Sequence, residues 1–302
     1  MTLGGESQAE SRLCANAVRH SVARMTSGAE WQAKVGRNWA QEYARTDRAF
    51  SGLTERLLAR IAALSGQRVL DVGCGAGELS LAIARARSAA QVVGLDVSAD
   101  LVAAARDRAT DRANVCFELG DAARWSDPGF APDLLVSRHG VMFFDDPSAA
   151  FENLRRIAAP DAQLAFSCFR APRENPWAAV AVELLGQPPG DPEAPGPFAF
   201  ADPQRVETIL SAGGWEEIDF APVDFAYVAG AGDDPAGEAL ALFRRIGPAA
   251  RALAQAPEAE RPALESKLAD WIEDNRSGDL VAFAAAAWIV TARRRDRATA
   301  RR

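Results

Sequence analysis

The sequence has few of the residues that form metal centres and redox pairs. Its 302 residues include only two histidines, His20 and His139, and four cysteines, none of which form a CxxC pair. A histidine-rich metal site is therefore excluded, and neither a zinc ribbon nor a thioredoxin-type site is indicated. We predict that the chain binds no metal. Isolated cysteines are typical of a reducing compartment.

An excess of basic charge is also absent. The chain carries 41 aspartates and glutamates against 34 lysines and arginines, and its formal net charge is -7. An acidic chain has no overall positive field to attract nucleic acid, so we predict no nucleic-acid partner. The basic end, residues 293–302, is interpreted as a solvated tail.

Long apolar runs are missing as well. The first ten residues, MTLGGESQAE, contain neither the basic stretch nor the apolar stretch of a secretory signal. The most apolar late segment, residues 280–290, is too short and too rich in alanine to span a bilayer. We therefore expect a cytoplasmic protein with no membrane partner.

What the sequence does contain is an alternation of short apolar strands and helices. Segment 1–27 is polar and expected to be disordered, and segment 28–64 is predicted to form an N-terminal helical cap. From Arg68 onward, parallel strands covered by helices on both faces are predicted, which is an α/β fold. The predicted strands are 68–72, 91–95, 114–119, 133–137 and 162–169.

The pattern loosens after the fifth predicted strand. Residues 173–200 contain a loop rich in proline and glycine, and such a loop within a compact domain often serves a site. Strands are predicted at 215–220 and 280–292, although alanine in the latter favours helix. Residues 232–278 are predicted to be a helical insertion. The whole domain is expected to span 65–292.

A glycine-rich turn is the strongest chemical signal. The sequence DVGCGAG places Asp71 at the end of a strand, with Gly73, Gly75 and Gly77 opening the next helix. Glycine lets the backbone turn sharply and approach a ligand closely, and ligands bind at the carboxyl ends of strands in open α/β sheets. Asp71 capping the turn is the alternative interpretation. Cys74 is interpreted as filling a small space rather than acting as a nucleophile.

Three further groups follow successive strands. Asp96, next to Val97, ends the second strand, where a carboxylate can bind both hydroxyls of a ribose. Asp121 and Ala122 follow the third strand, where a carboxylate can accept the amine of adenine, although Gly-Asp is also common turn chemistry. Ser137 and Arg138 end the fourth strand, beside the expected crevice.

In order and spacing, these motifs resemble class I S-adenosylmethionine-dependent methyltransferases over residues 68–170. Residues 31–40 and 197–206 also resemble one bacterial subgroup of that family, of the small-molecule type. The resemblance implies a Rossmann-like sheet of seven strands, the last antiparallel, and S-adenosylmethionine as cofactor. By position it implies the following cofactor contacts: Asp71, Gly73, Cys74, Gly75, Gly77, Asp96, Val97, Asp121, Ala122, Ser137, Arg138 and Trp39.

Two other functions stay open. A nicotinamide-dependent dehydrogenase would use GxGxxG to hold a pyrophosphate. Here the spacing is GxGxG, Glu78 replaces the third fingerprint glycine, and Asp71 adds negative charge that would repel a phosphate. A catalytically inactive protein that only binds the cofactor is the other alternative.

Methyl transfer needs alignment and exclusion of water rather than a covalent nucleophile or a metal. His139 is the one candidate catalytic residue, as a proton acceptor. A packing role is favoured, because an aromatic such as Phe often fills this place in the resembling subgroup. The acceptor is expected to be a small molecule beneath the N-terminal helices and the 173–200 insertion. Segment 31–50 is expected to cover the cofactor as a lid, with a permanently docked helix as the alternative.

Overall fold

The computed structural model describes residues 28–186 and 191–295. Twelve α-helices lie within these residues: α1 Gly28–Trp31, α2 Lys34–Gln41, α3 Tyr43–Ala49, α4 Ser51–Ala62, α5 Glu78–Ala86, α6 Ala99–Arg108, α7 Pro147–Ile157, α8 Pro176–Glu183, α9 Pro203–Ala212, α10 Pro235–Arg245, α11 Gly247–Gln255 and α12 Arg261–Asp274. Eight strands lie there too: β1 Arg68–Val72, β2 Gln91–Asp96, β3 Val115–Leu119, β4 Leu134–Arg138, β5 Gln163–Phe169, β6 Trp215–Ala231, β7 Arg276–Ser277 and β8 Leu280–Arg294. Two short 3-10 helices cover Val141–Phe143 and Pro172–Glu174.

The strands form one mixed sheet in the order β3-β2-β1-β4-β5-β8-β6. Strands β1 to β5 pair in parallel, whereas β8 is antiparallel to both β5 and β6. The predicted α/β, Rossmann-like class is confirmed. Seven strands form this order within the described residues, as predicted, and β7 adds a two-residue pairing with β8. Two residues are too few to produce the alternation by which a strand is recognised.

Strand β6 is much longer than the predicted 215–220. Pro222 lies within it, opposite Trp288 in the register, and proline in a sequence usually indicates the end of a strand. Because β6 ends the sheet order, the proline has no second neighbouring strand that would need an N–H donor. Strand β8 matches the prediction to within two residues despite its alanines, since it lies between two partner strands.

The N-terminal helices fall into two groups with different surroundings. Helix α4 buries Leu53, Leu57 and Ile61, at the four-residue spacing of one helix face. Ala49 and Phe50, at the end of α3, are also buried. This part of the cap is therefore a permanent piece of the core, so a truncation at residue 50 would remove core side chains.

An ion-pair network fastens α3 to the sheet. The Asp47 carboxylate lies 3.0 Å from Arg138 at the end of β4 and 2.9 Å from Arg108 at the end of α6. Arg108 also pairs with Glu78 at 2.7 Å. The Asp47 side chain is only 17% exposed, so these pairs are partly shielded from water and from salt.

Several predicted features lie partly or wholly outside the described residues. The predicted disorder of 1–27 falls outside the described residues, as do residues 187–190 of the proline- and glycine-rich loop and residues 296–302 of the predicted tail. Arg293 and Arg294 belong to β8, so the strand extends into that predicted tail. Within the described ranges, no helix combines the length and the apolar character needed to cross a bilayer. The predicted domain limits stay predictions.

We expect Asp47→Asn to lower the free energy of unfolding by about 2 kcal/mol, because it leaves the partly buried Arg138 without a carboxylate and Arg108 with Glu78 alone. Asp219→Asn is the matched control. Asp219 also pairs with an arginine, Arg60, but its side chain is 62% exposed, and such pairs contribute less than about 1 kcal/mol. Urea unfolding of the three proteins measures both effects. Equal changes for the two variants would show that the network does not hold the cap.

Candidate functional site

A cavity of about 1390 Å³ lies at the carboxyl ends of β1 to β4. Its lining comes from the loops after these strands, from α1 to α3, and from the segments around α8 and α11. One end is formed by polar groups of the strand loops and the other by aromatic side chains. The site residues predicted from sequence that line it are Trp39, Asp71, Gly73, Cys74, Gly75, Asp96, Val97, Asp121, Ala122, Arg138 and His139.

The loop after β1, residues 73–77, is called here the glycine loop. Gly73 and Cys74 both donate their backbone N–H groups to the Leu95 carbonyl, at 2.8 and 3.0 Å. Gly73 has φ +66°, and a Cβ there would lie 2.9 Å from the Cα of Gly140. Gly75 has φ +56°, and a Cβ there would meet nothing within 4 Å. The loop thus crosses the β4 loop tightly at Gly73 and borders open space at Gly75.

Asp71 ends β1 beneath the glycine loop and is 1% exposed. Its Oδ2 accepts a 2.5 Å hydrogen bond from the Ser80 hydroxyl, whereas its Oδ1 is buried without a hydrogen-bond partner in the described part of the chain. Burial raises the pKa of this carboxyl to about 6, against the opposing effect of the Ser80 hydrogen bond. An unpaired buried carboxylate oxygen is a site for a cationic hydrogen-bond donor.

Asp96 ends β2 on the opposite side of the glycine loop. Its two oxygens accept hydrogen bonds from the backbone N–H groups of Gly75 and Ser98, both at 2.9 Å. Burial raises the pKa of Asp96. Because each carboxylate oxygen can accept a second hydrogen bond, the side chain is fixed in place and still able to bind hydroxyl groups.

Asp121 and Ala122 follow β3 and differ in exposure. Ala122 is buried, whereas the Asp121 side chain is 47% exposed. Asp121 Oδ1 accepts a hydrogen bond from the Ala123 backbone N–H at 2.9 Å. This bond is typical of a Gly-Asp turn, which was the alternative interpretation of Asp121 in the sequence. The Oδ2 of Asp121 lies 3.9 Å from Nε of the exposed Arg124.

Ser137 and Gly77 do not line the cavity, unlike the other predicted contacts. The Ser137 hydroxyl donates to the Val72 carbonyl at 2.7 Å and accepts from the Gly140 N–H at 3.1 Å. A Cβ on Gly77 would lie 2.8 Å from the Phe117 ring, on the helix side of the loop. Both residues shape the loops from behind the lining, and their role as cofactor contacts stays a prediction.

Arg138 and His139 end β4 at the middle of the cavity. Arg138 is committed to the cap, since it donates to Asp47 at 3.0 Å and to Thr54 at 2.9 Å. The His139 ring stacks on Phe169, with centroids 4.0 Å apart. Burial and the charge of Arg138 lower the pKa of His139 to about 3. The imidazole is therefore neutral near pH 7 and a weak proton acceptor.

Tryptophans cover the cavity from the N-terminal side. Trp31 contacts Trp39 and Phe143, with ring centroids 5.5 and 5.0 Å apart. Helix α2 rests on the start of α6, where a Cβ on Gly36 would lie 2.1 Å from the Ser98 hydroxyl oxygen. The segment that contains Trp31 and Trp39 thus lies beside Asp96. Whether it moves as a lid stays a prediction.

The structure adds lining residues that the sequence did not indicate. Phe169 and Tyr227 line the cavity from the ends of β5 and the middle of β6. Both belong to strands, where an aromatic residue normally indicates core, and the β6 segment around Tyr227 was not predicted as a strand.

Burial raises the pKa of the Cys74 thiol, which agrees with a space-filling role.

Comparison with known proteins relates this site to a protein family. The family model of the methyltransferase domain matches residues 69–161. The trans-aconitate 2-methyltransferase of Variovorax paradoxus is 29% identical over 190 residues, which are 63% of this chain and 67% of that protein. The 27-O-demethylrifamycin SV methyltransferase of Amycolatopsis mediterranei is 31% identical over 136 residues, or 43% of this chain and 49% of its own length.

These matches support a class I S-adenosylmethionine-dependent methyltransferase. A solved structure of Haemonchus contortus phosphoethanolamine N-methyltransferase 2 with S-adenosylmethionine has the same fold, with a TM-score of 0.53 at 16% identity, covering 90% of this chain and 61% of that one. The second curated relative is matched over about half of its length.

The residues of this methyltransferase fit its cofactor. The buried Asp71 Oδ1 lacks a donor, and S-adenosylmethionine has a cationic amine that is one. The space beside Gly75 would admit a ligand close to the backbone.

We expect S-adenosylhomocysteine to bind about tenfold more weakly at pH 5 than at pH 7, because with a pKa of about 6 most of the Asp71 carboxyl is protonated at pH 5. Binding weakens at low pH because the ionised carboxylate, and not the protonated acid, pairs with a cation. Asp71→Asn should weaken binding at pH 7 and flatten this pH dependence.

Asp121→Asn is the matched control, since its carboxyl is half-exposed and the variant should keep the pH dependence. Calorimetric titration at both pH values measures these affinities. A pH dependence that persists in Asp71→Asn would assign it to another group.

Proposed function

We propose that this chain transfers a methyl group from S-adenosylmethionine to a small organic acceptor in the same cavity. The size of the cavity carries this proposal. It measures about 1390 Å³, whereas a pocket for one drug-sized ligand measures about 300–1,000 Å³. A cavity that joins the glycine loop to an aromatic end supports two ligands side by side.

The bound cofactor supplies a methyl carbon that its positively charged sulfur makes electrophilic. Asp71 and the glycine loop are suited to hold the amino-acid end, where a cation meets a carboxylate. Asp96 is suited to bind the ribose hydroxyls by charge-assisted hydrogen bonds. Asp121 and Ala122 are assigned to adenine.

The chain's own part in the reaction is to align the acceptor and exclude water. Trp31 and Trp39 lie over the cavity on one side, and Phe169 lies on the other. The acceptor enters the aromatic end and presents its nucleophilic atom toward the glycine loop. The fixed positions of Asp71 and Asp96 at the strand ends support such alignment, since rigid groups need no rearrangement during the reaction.

The relatives support a small-molecule acceptor. Trans-aconitate and demethylrifamycin SV, the compounds in their names, are small organic molecules. The acidic net charge of -7 supports a function without nucleic acid. We further propose that the chain acts in the cytoplasm.

Two assays test the function. In a thermal-shift panel, S-adenosylhomocysteine should raise the Tm of the full chain and NAD should not. Incubation with methyl-labelled S-adenosylmethionine and a metabolite extract should then yield labelled small molecules. Stabilisation by NAD alone would indicate a dehydrogenase. Binding of S-adenosylhomocysteine without label transfer would indicate a protein that only binds the cofactor.

We propose a packing role for His139, and we expect His139→Phe to keep most of the turnover, since the ring can still stack on Phe169. His139→Asn is the matched control. His139 has φ +60°, and asparagine tolerates this left-handed backbone but has no ring. Turnover should fall in the asparagine variant and not in the phenylalanine variant. A loss of about a hundredfold in His139→Phe, with unchanged cofactor affinity, would instead assign proton transfer to the imidazole.

A further inference from the structure

Five ring side chains form a closed circuit at the aromatic end of the cavity. They are Phe50, His139, Phe169, Trp177 and Tyr227, and they are called here the aromatic box. Taken in that order, successive ring centroids lie 5.4, 4.0, 5.0 and 4.8 Å apart, and Tyr227 closes the circuit on Phe50 at 5.4 Å. All five residues line the cavity, as does Phe198, which contacts Phe169 and Trp177.

Polar groups inside the box lack partners. Both ring nitrogens of His139 are buried, and none of the described residues makes a hydrogen bond to them. The Tyr227 side chain is 2% exposed, and within the described ranges its hydroxyl makes no hydrogen bond; burial raises its pKa well above the ordinary value. Buried polar groups normally find a partner. A ligand oxygen placed in the box would supply one.

The charges around the box disfavour an ionic ligand. Arg138 lies 5.6 Å from the Phe50 ring and is paired with Asp47 at 3.0 Å. This pair leaves no unmatched charge of either sign beside the box, so an ionic acceptor would lose its water of hydration without gaining a charged partner there.

The other basic side chains that line the cavity do not favour the binding of a polycarboxylate. Four further arginines that line the cavity have an acidic partner: Arg124 with Asp121 at 3.9 Å, Arg244 with Glu265 at 2.5 Å, Arg245 with Glu42 at 3.2 Å and Arg251 with Glu30 at 3.1 Å. Lys34 and Arg261 also line it, but both are exposed, where water screens their charge. A tricarboxylate would have to compete with these ion pairs.

We infer that the acceptor is a flat, uncharged aromatic compound with a hydroxyl group, whose rings pack against the side of the aromatic box that faces the cavity. This inference rests on the proposed methyl transfer. Aromatic rings favour aromatic partners by stacking and edge contacts, and the Tyr227 hydroxyl offers a hydrogen bond to the acceptor oxygen. In the reaction, a bond forms between that oxygen and the methyl carbon, and the carbon–sulfur bond breaks. The electron pair of the broken bond stays on sulfur, and the hydroxyl proton goes to water.

The test uses the full chain saturated with S-adenosylhomocysteine and three probes: 2-naphthol, naphthalene and trans-aconitate. Titration calorimetry should give 2-naphthol a Kd at least tenfold lower than that of trans-aconitate, and lower than that of naphthalene. In Tyr227→Phe, which removes only the hydroxyl, 2-naphthol and naphthalene should bind alike.

Phe198→Ala should weaken 2-naphthol binding at least fivefold, while the half-buried position of Phe198 limits the damage to the fold. Trp288→Ala is the control, a half-buried aromatic residue on β8 that is outside the cavity lining, and it should leave 2-naphthol binding unchanged. S-adenosylhomocysteine affinity within twofold of the wild type verifies that each variant is folded.

Tighter binding of trans-aconitate than of 2-naphthol would overturn the inference, as would an unchanged 2-naphthol affinity in both Tyr227→Phe and Phe198→Ala. If S-adenosylhomocysteine itself fails to bind the wild type, the proposed function fails instead. The two failures are therefore distinct.

Discussion

The site depends on one close backbone crossing, where the loop after β1 meets the loop after β4. A Cβ on Gly73 would lie 2.9 Å from the Cα of Gly140, and a Cβ on Gly140 would lie 2.5 Å from the Val72 carbonyl oxygen. No side chain fits at this distance, so glycine is required in both strands' loops. Ser137 completes the crossing by bridging the Val72 carbonyl and the Gly140 N–H. The crossing brings Asp71, Asp96 and His139 to one cavity.

The N-terminal cap is attached beside that crossing. Asp47 lies between Arg138, next to the β4 loop, and Arg108, which also holds Glu78 at the start of α5. Two strand-to-helix connections are thus tied to α3 by a single carboxylate. Phe50, three residues further along the chain, is placed in the aromatic box by the same docking. The cap therefore contributes to the core and to the acceptor end of the cavity, which a lid that leaves the site entirely would not do.

The part of the site formed by successive strand ends was predictable from the sequence, and the part contributed by distant segments was not. Asp71, the glycine loop and Asp96 follow directly from strand ends, because hydrophobic runs fix the strands and glycine fixes the turns. Ser137 was predicted from its position at a strand end, which does not reveal that two backbone groups use its hydroxyl. Tyr227 could not be found, because Pro222 hides the strand that carries it.

The division between predictable and unpredictable residues follows the division of the cavity. The groups proposed to hold the cofactor come from consecutive strand ends within residues 71–122. The aromatic box instead combines residues from 50 to 227, carried by the cap, by the loop after β4, by β5, by α8 and by the edge strand β6. Of these segments, only the loop after β4 forms part of the glycine loop crossing. A substitution at Phe198 or Tyr227 therefore changes the acceptor end while leaving the Gly73–Gly140 crossing intact. Such an arrangement lets one cofactor site serve many acceptors, since the parallel strands fix the first ligand and the added segments shape the space for the second.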